Sequence, residues 1–108
     1  MEFGMKRVMA SVQAIATLKK MYKGAPVSLT AISKESKLST SYLEQIFKKL
    51  RTGKLVTSYR GPGGGYSPRD GDISVSEVIR AVSRFPANRA FEPVLIALEG
   101  VFISDITP

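Results

Sequence analysis

The chain has 108 residues, 44% of them apolar, which suffices for one small hydrophobic core and leaves no room for a second, catalytic domain. Its net charge of +7 is unevenly spread: residues 1–69 carry 13 Lys and Arg against 3 acids, whereas residues 70–108 carry 3 against 6. The first two thirds are therefore suited to a polyanion, and the lack of Cys and His excludes disulfides, zinc and iron–sulfur sites, along with the commonest nucleophile and general base.

Val8, Val12, Ile15, Leu18 and Tyr22 recur at three- and four-residue steps, predicting a first helix from about Met5 to Lys23, with Gly24 at its stop and Pro26 keeping the chain extended. Ser28 is a good N-cap for a short second helix, Leu29 to Ser36. After a turn at Lys37–Thr40 the third helix starts either at a Ser39 cap or about two residues later, where Ser41 and Glu44 have capping-box spacing. Leu43, Ile46, Phe47 and Leu50 form its buried stripe, and Gly53 ends it. Leu55 to Tyr59 reads as a strand, Gly61 to Gly65 forces a turn, and Tyr66 begins a return strand that Pro68 limits. Ser74 and Glu77 form a second capping-box spacing ahead of a fourth helix carrying Val75, Val78, Ile79 and Val82, closed by Phe85 and Pro86. Pro93 suits a first helical position, and Leu95, Leu98, Val101, Phe102 and Ile106 continue from it at helical spacing, predicting one last helix. The expected fold is mainly α with a small β-hairpin: a winged helix-turn-helix over residues 1–84, then a short linker and a dimerisation helix over 85–108.

In such a fold the third helix enters the major groove and the hairpin reaches a neighbouring minor groove. Thr40, Ser41, Glu44 and Gln45 are the candidate base contacts: Gln can pair with adenine N6 and N7, and Glu can accept from cytosine N4. The alternative is that Ser41 and Glu44 only cap the helix while Gln45 is solvated. Tyr42, Lys48, Lys49, Arg51 and Lys54 are the candidate phosphate contacts. Arg60 stands before Gly-Pro-Gly-Gly-Gly, where almost no side-chain bulk separates it from a narrow groove, so Arg60, Gly61 and Pro62 are the candidate wing contacts. A nucleotide-cradling loop would need a Gly-Lys-Ser/Thr ending, which is missing. Leu95, Leu98, Val101, Phe102 and Ile106, with further apolar neighbours, exceed what one buried stripe uses, so a second copy is the expected partner; the alternative is packing within the chain.

The segments SYLEQ (41–45) and RGPGGGY (60–66), with Leu50, Arg51, Leu55, Val56, Ile73, Ser76, Val78, Ile79, Ala81 and Val82, resemble the Rrf-two family of bacterial winged-helix transcription regulators, closest to its iron–sulfur cluster regulators. The resemblance runs from about Met5 to Val82. It implies that Ser41, Glu44 and Gln45 touch bases, that Arg60, Gly61 and Pro62 enter the minor groove, and that two copies, joined by a long C-terminal helix resembling Leu95 to Thr107, bind an imperfect palindrome. Cluster-binding members carry three cysteines and a further ligand ahead of that helix, whereas Ser83 to Phe91 here reads SRFPANRAF. The resemblance therefore implies a cluster-free member with no cofactor, whose effector, protein or small molecule, is unspecified.

The expected function is sequence-specific binding of double-stranded DNA by a homodimeric regulator, more consistent with a repressor than an activator; an enzyme is not expected. The competing expectations are a winged-helix protein-interaction module and a nonspecific DNA binder without sensing. No run approaches the roughly 20 apolar residues of a membrane span, and no apolar signal-peptide core follows the start, so a cytoplasmic protein without membrane partners is expected.

Overall fold

A computed structural model describes residues 5–83 and 92–106. Among these, the elements run α1 (Met5–Met21), α2 (Leu29–Ser36), α3 (Thr40–Thr52), β1 (Val56–Tyr59), β2 (Gly65–Pro68), α4 (Val75–Val82), α5 (Glu92–Ala97) and α6 (Ile103–Ile106), with a 3-10 turn at Leu98–Gly100. The mainly helical architecture with one antiparallel hairpin is the class predicted from the sequence.

Local chemistry sets the helix starts. Ser28 Oγ accepts the Ala31 N–H at 3.1 Å and Ser39 Oγ accepts the Tyr42 N–H at 3.2 Å, so α2 and α3 each begin with an orphan backbone donor satisfied, worth about 1 kcal/mol apiece. Ser74 and Glu77 close a full capping box on α4. Because Ser39 is the cap of α3, the Ser41–Glu44 spacing is not a capping box, and both side chains are exposed. Lys37, in the left-handed region at φ 67°, turns the chain out of α2 toward α3.

Gly53 follows α3 as expected, although its φ of −78° is open to any residue. What demands glycine is proximity: a Cβ there would lie 2.9 Å from the Ala81 Cβ, so the end of α3 can approach α4 only without a side chain. The left-handed turn falls on Lys54 instead, at φ 63°. Ile15, Leu18, Ile32, Leu43, Ile46, Phe47 and Leu50 are fully buried in one core shared by α1, α2 and α3. Each such side chain contributes about 1.5–3 kcal/mol on leaving water.

The C-terminal segment departs from the expected single helix. It breaks at the 3-10 turn, and Val101 and Phe102 run extended: the Val75 N–H bonds to the Val101 carbonyl and the Ile103 N–H to the Ile73 carbonyl, each at 2.8 Å, with a bridge between Ser74 and Phe102. Gly100 disfavours continued helix, and the backbone groups leading into α4 supply the alternative partners. Two side chains are consequently buried within the chain, Ile103 in the main core and Leu95 against Val8 and Ile79. Leu98, Val101 and Phe102 are half-buried and Ile106 is exposed, while Val94 and Ile96, on α5, are 49% and 58% exposed. Helix α4 ends at Val82, the Ser83 N–H bonding to the Ile79 carbonyl at 2.9 Å; Phe85, Pro86, the expected boundary at 84 and 85 and Thr107 lie outside the described residues.

Candidate nucleic-acid interface

Helix α3 turns Leu43, Ile46, Phe47 and Leu50 into the core, and its 3.6-residue period leaves Ser41, Glu44, Gln45, Lys48 and Arg51 exposed on the other side. Thr40 is exposed as well, and Lys49 is half-buried. The polar residues at the start of α3 and the basic ones further along therefore share one accessible surface.

The hairpin pairs Val56 with Pro68 and Tyr59 with Gly65, leaving Arg60 to Gly64 as its tip. Arg60, Gly61 and Pro62 are all exposed there. Three contacts anchor this wing. Val27 and Tyr66 exchange backbone hydrogen bonds of 2.8 Å each way, and the Tyr66 ring lies 4.7 Å from that of Phe47, on the buried side of α3. At the base, the Arg69 guanidinium grips the Glu77 carboxylate through two bonds of 2.7 and 2.9 Å, a fork-to-fork pair joining the return strand to α4. That guanidinium, aided by the Ser74 backbone N–H, holds the Glu77 carboxyl at about 2, well below its ordinary value.

Helix and wing meet. A cleft of about 330 Å³ is lined by Glu44, Lys48 and Arg51 of α3 and by Ser58, Tyr59, Arg60, Gly65 and Tyr66 of the wing. This brings the expected wing residue Arg60 beside one expected base contact and two expected phosphate contacts. A second cleft, about 410 Å³, is lined by Gln45, Lys48, Lys49 and Thr52 together with Arg7 of α1. Tyr42 lies elsewhere, in a mostly apolar groove of about 850 Å³ along α1 with Met9, Val12, Ala16 and Leu38; Lys54 is exposed beyond the end of α3. Sequence reasoning passed over Ser58, Tyr59 and Arg7. The outward alternation of β1 marks Tyr59, whereas nothing local marks Arg7, which is 38 residues from Gln45 in the chain.

A three-helix core presenting an exposed polar helix, with an arginine-tipped hairpin beside it, defines a protein of the winged helix-turn-helix class. Residues 5–92 match the Rrf2 family, described as an iron-dependent transcriptional regulator, and the chain belongs to that family. These are regulators rather than enzymes. The chain is 51% identical over 75 residues to the candidate HTH-type transcriptional regulator ORF2 of Azotobacter vinelandii, covering 68% of this chain and 46% of that one. It is 52% identical over 62 residues to the HTH-type transcriptional regulator IscR of Citrobacter koseri, covering 56% and 38%. Among solved structures, it is similar to T. potens IscR, with a TM-score of 0.76 and 29% identity over 93% of this chain and 82% of that one. It is also similar to CymR, the global cysteine regulator of B. subtilis, with a TM-score of 0.77 and 26% identity over 99% and 97%. The chain spans about half the length of the first curated relatives it matches.

The iron in the family's description does not fit this chain's donor set. The sequence has neither thiolate nor imidazole donors, and among the described residues no group of three or more acidic side chains is placed to hold a metal ion. Among the described residues, no helix is long and apolar enough to cross a membrane.

Proposed function

We propose that this chain is a sequence-specific regulator that binds a palindromic operator as a homodimer and represses by occupying it. The observation that carries the reading is the cleft in which Glu44, Lys48 and Arg51 of α3 stand beside Arg60 of the wing, since base-reading and backbone-gripping groups then address the same duplex. In this reading Thr40, Ser41, Glu44 and Gln45 read base edges, Lys48, Lys49 and Arg51 grip phosphates with Tyr42 and Lys54 as outlying contacts, and Arg60, Gly61 and Pro62 enter the minor groove. Residues 1–84 form the DNA-binding part and 85–108 the dimerisation part.

Support for the dimer is the apolar surface left uncovered in one copy: Val94, Ile96 and Ile106, and Met5 and Met9 of α1. Two copies related by a two-fold axis would set their recognition helices about one helical turn apart, roughly 34 Å, or a multiple of it.

Binding to duplex DNA across a salt series, with sequence preference measured at each step, tests the reading. A regulator of this kind loses affinity steeply with salt, by a slope of about −0.9 per phosphate contact, and retains a preferred palindrome over random duplex. Salt-sensitive binding without preference would make it a nonspecific binder, and no duplex binding would leave a protein-interaction module. A reporter under an operator-bearing promoter decides the sign: repression requires lower expression when the protein is present.

A further inference from the structure

We propose that Arg7, from α1, positions the Gln45 side chain and so sets which base Gln45 reads; this rests on the DNA-binding reading above. Arg7 Nη2 donates to Gln45 Oε1 at 3.4 Å, and both residues line the cleft that also holds Lys48, Lys49 and Thr52. Arg7 Nε, whose N–H lies on the same edge of the guanidinium as Nη2, is shut away from solvent with no hydrogen-bond partner among the described residues. The side-on edge that would grip a phosphate through Nε and Nη2 together is thus closed to one, and its Nη2 is turned to Gln45.

The consequence follows from donor and acceptor chemistry. A glutamine carboxamide has one acceptor end and one donor end, and an unheld one can present either. Arginine only donates, so the end facing Arg7 is the oxygen, and Nε2 with its two N–H groups is the end left for DNA. Full pairing with adenine needs the oxygen and nitrogen of glutamine together at the base edge. A carboxamide that leads with its N–H groups is better matched to guanine, whose major-groove edge shows the two acceptors N7 and O6. Arg7 therefore biases the Gln45 position toward guanine, away from the adenine pairing expected of an unheld glutamine. The bond is long and lies at an exposed site, so the bias belongs at the low end of direct-readout discrimination, about 5- to 10-fold.

The experiment is selection from a randomised duplex library with the full chain, comparing wild type, Arg7→Met, Arg7→Lys, Gln45→Ala and the Arg7→Met/Gln45→Ala double variant, each checked by its melting curve. Methionine keeps an unbranched stem for packing, and lysine keeps the charge without the planar fork. The expected result is a guanine in each wild-type half-site that is lost in Gln45→Ala. Both Arg7 variants should relax or shift that position toward adenine by about 5- to 10-fold while sparing the others, and the double variant should be no more relaxed than Gln45→Ala. An unchanged base preference in folded Arg7→Met and Arg7→Lys overturns the proposal. So does a uniform loss of affinity in Arg7→Met that Arg7→Lys restores, which would make Arg7 a phosphate contact. If the wild type enriches no sequence, the DNA-reading function itself fails, an outcome separable from the other two.

Discussion

Replacing Gly65 with alanine should detach the wing from the helical body. The added Cβ would fall inside contact distance of the Val27 carbonyl oxygen and 2.8 Å from the Ser28 nitrogen, and these are backbone atoms that cannot rotate away. Gly65 also sits at φ +149°, where an L side chain is strained. The chain can relieve the clash by opening the Val27–Tyr66 bridge, which forfeits two backbone hydrogen bonds of 2.8 Å at about 0.5–1.5 kcal/mol each. With residual backbone strain and a loosened Phe47–Tyr66 contact, the cost comes to roughly 2–4 kcal/mol, or about 9–18 °C in melting temperature for a chain of this size. Gly61→Ala is the control: its φ of +87° carries strain of about 1 kcal/mol, but a Cβ there meets nothing within 4 Å. Chemical denaturation and thermal melting of both variants, followed by DNA titration of whatever remains folded, measure the difference. If Gly65→Ala melts within about 2 °C of wild type, or Gly61→Ala costs as much, the claim that a close backbone approach anchors the wing is wrong.

Arg60→Ala should weaken DNA binding by about 1–3 kcal/mol with an unaltered melting curve, because it removes an exposed charge rather than a core contact; equal affinity would exclude the wing from the interface. Glu77→Gln should destabilise the fold by roughly 1 kcal/mol at neutral pH, the Arg69–Glu77 pair being partly screened at side-chain exposures of 36% and 41%. Since the Glu77 carboxyl is lowered from 4.5 to about 2, the wild type's advantage should be full above about pH 4.5 and vanish as pH falls through about 2; a gap that persists unchanged in acid would contradict the pairing. Val94→Glu with Ile96→Glu alters exposed side chains only, so sedimentation should show a folded monomer that has lost tight operator binding, and a variant that still sediments as a dimer would place the interface elsewhere.

Much of the architecture was legible because local chemistry decides it. Ser28 and Ser74 cap helices where their side chains and spacing predict, the Leu43–Leu50 stripe is buried as its period requires, and the glycine run marks the hairpin tip. The choice between Ser39 and Ser41 was not legible, since both can accept a backbone N–H and only the path of the preceding turn selects one. Gly53 was placed correctly for a reason the sequence could not display: its partner Ala81 is brought alongside by packing. The C-terminal apolar residues misled most, because helical spacing records which residues are apolar and not which backbone groups need partners; the backbone groups of Ile73 and Val75 draw Val101 and Phe102 into extended pairing, and Ile103, which opens α6, is buried. Arg7 shows the same limit within the interface. Its sequence neighbours identify a charged residue on a helix, and its place beside Gln45 exists only once α1 and α3 are packed, because contacts between distant segments are set by the shape of the shared core.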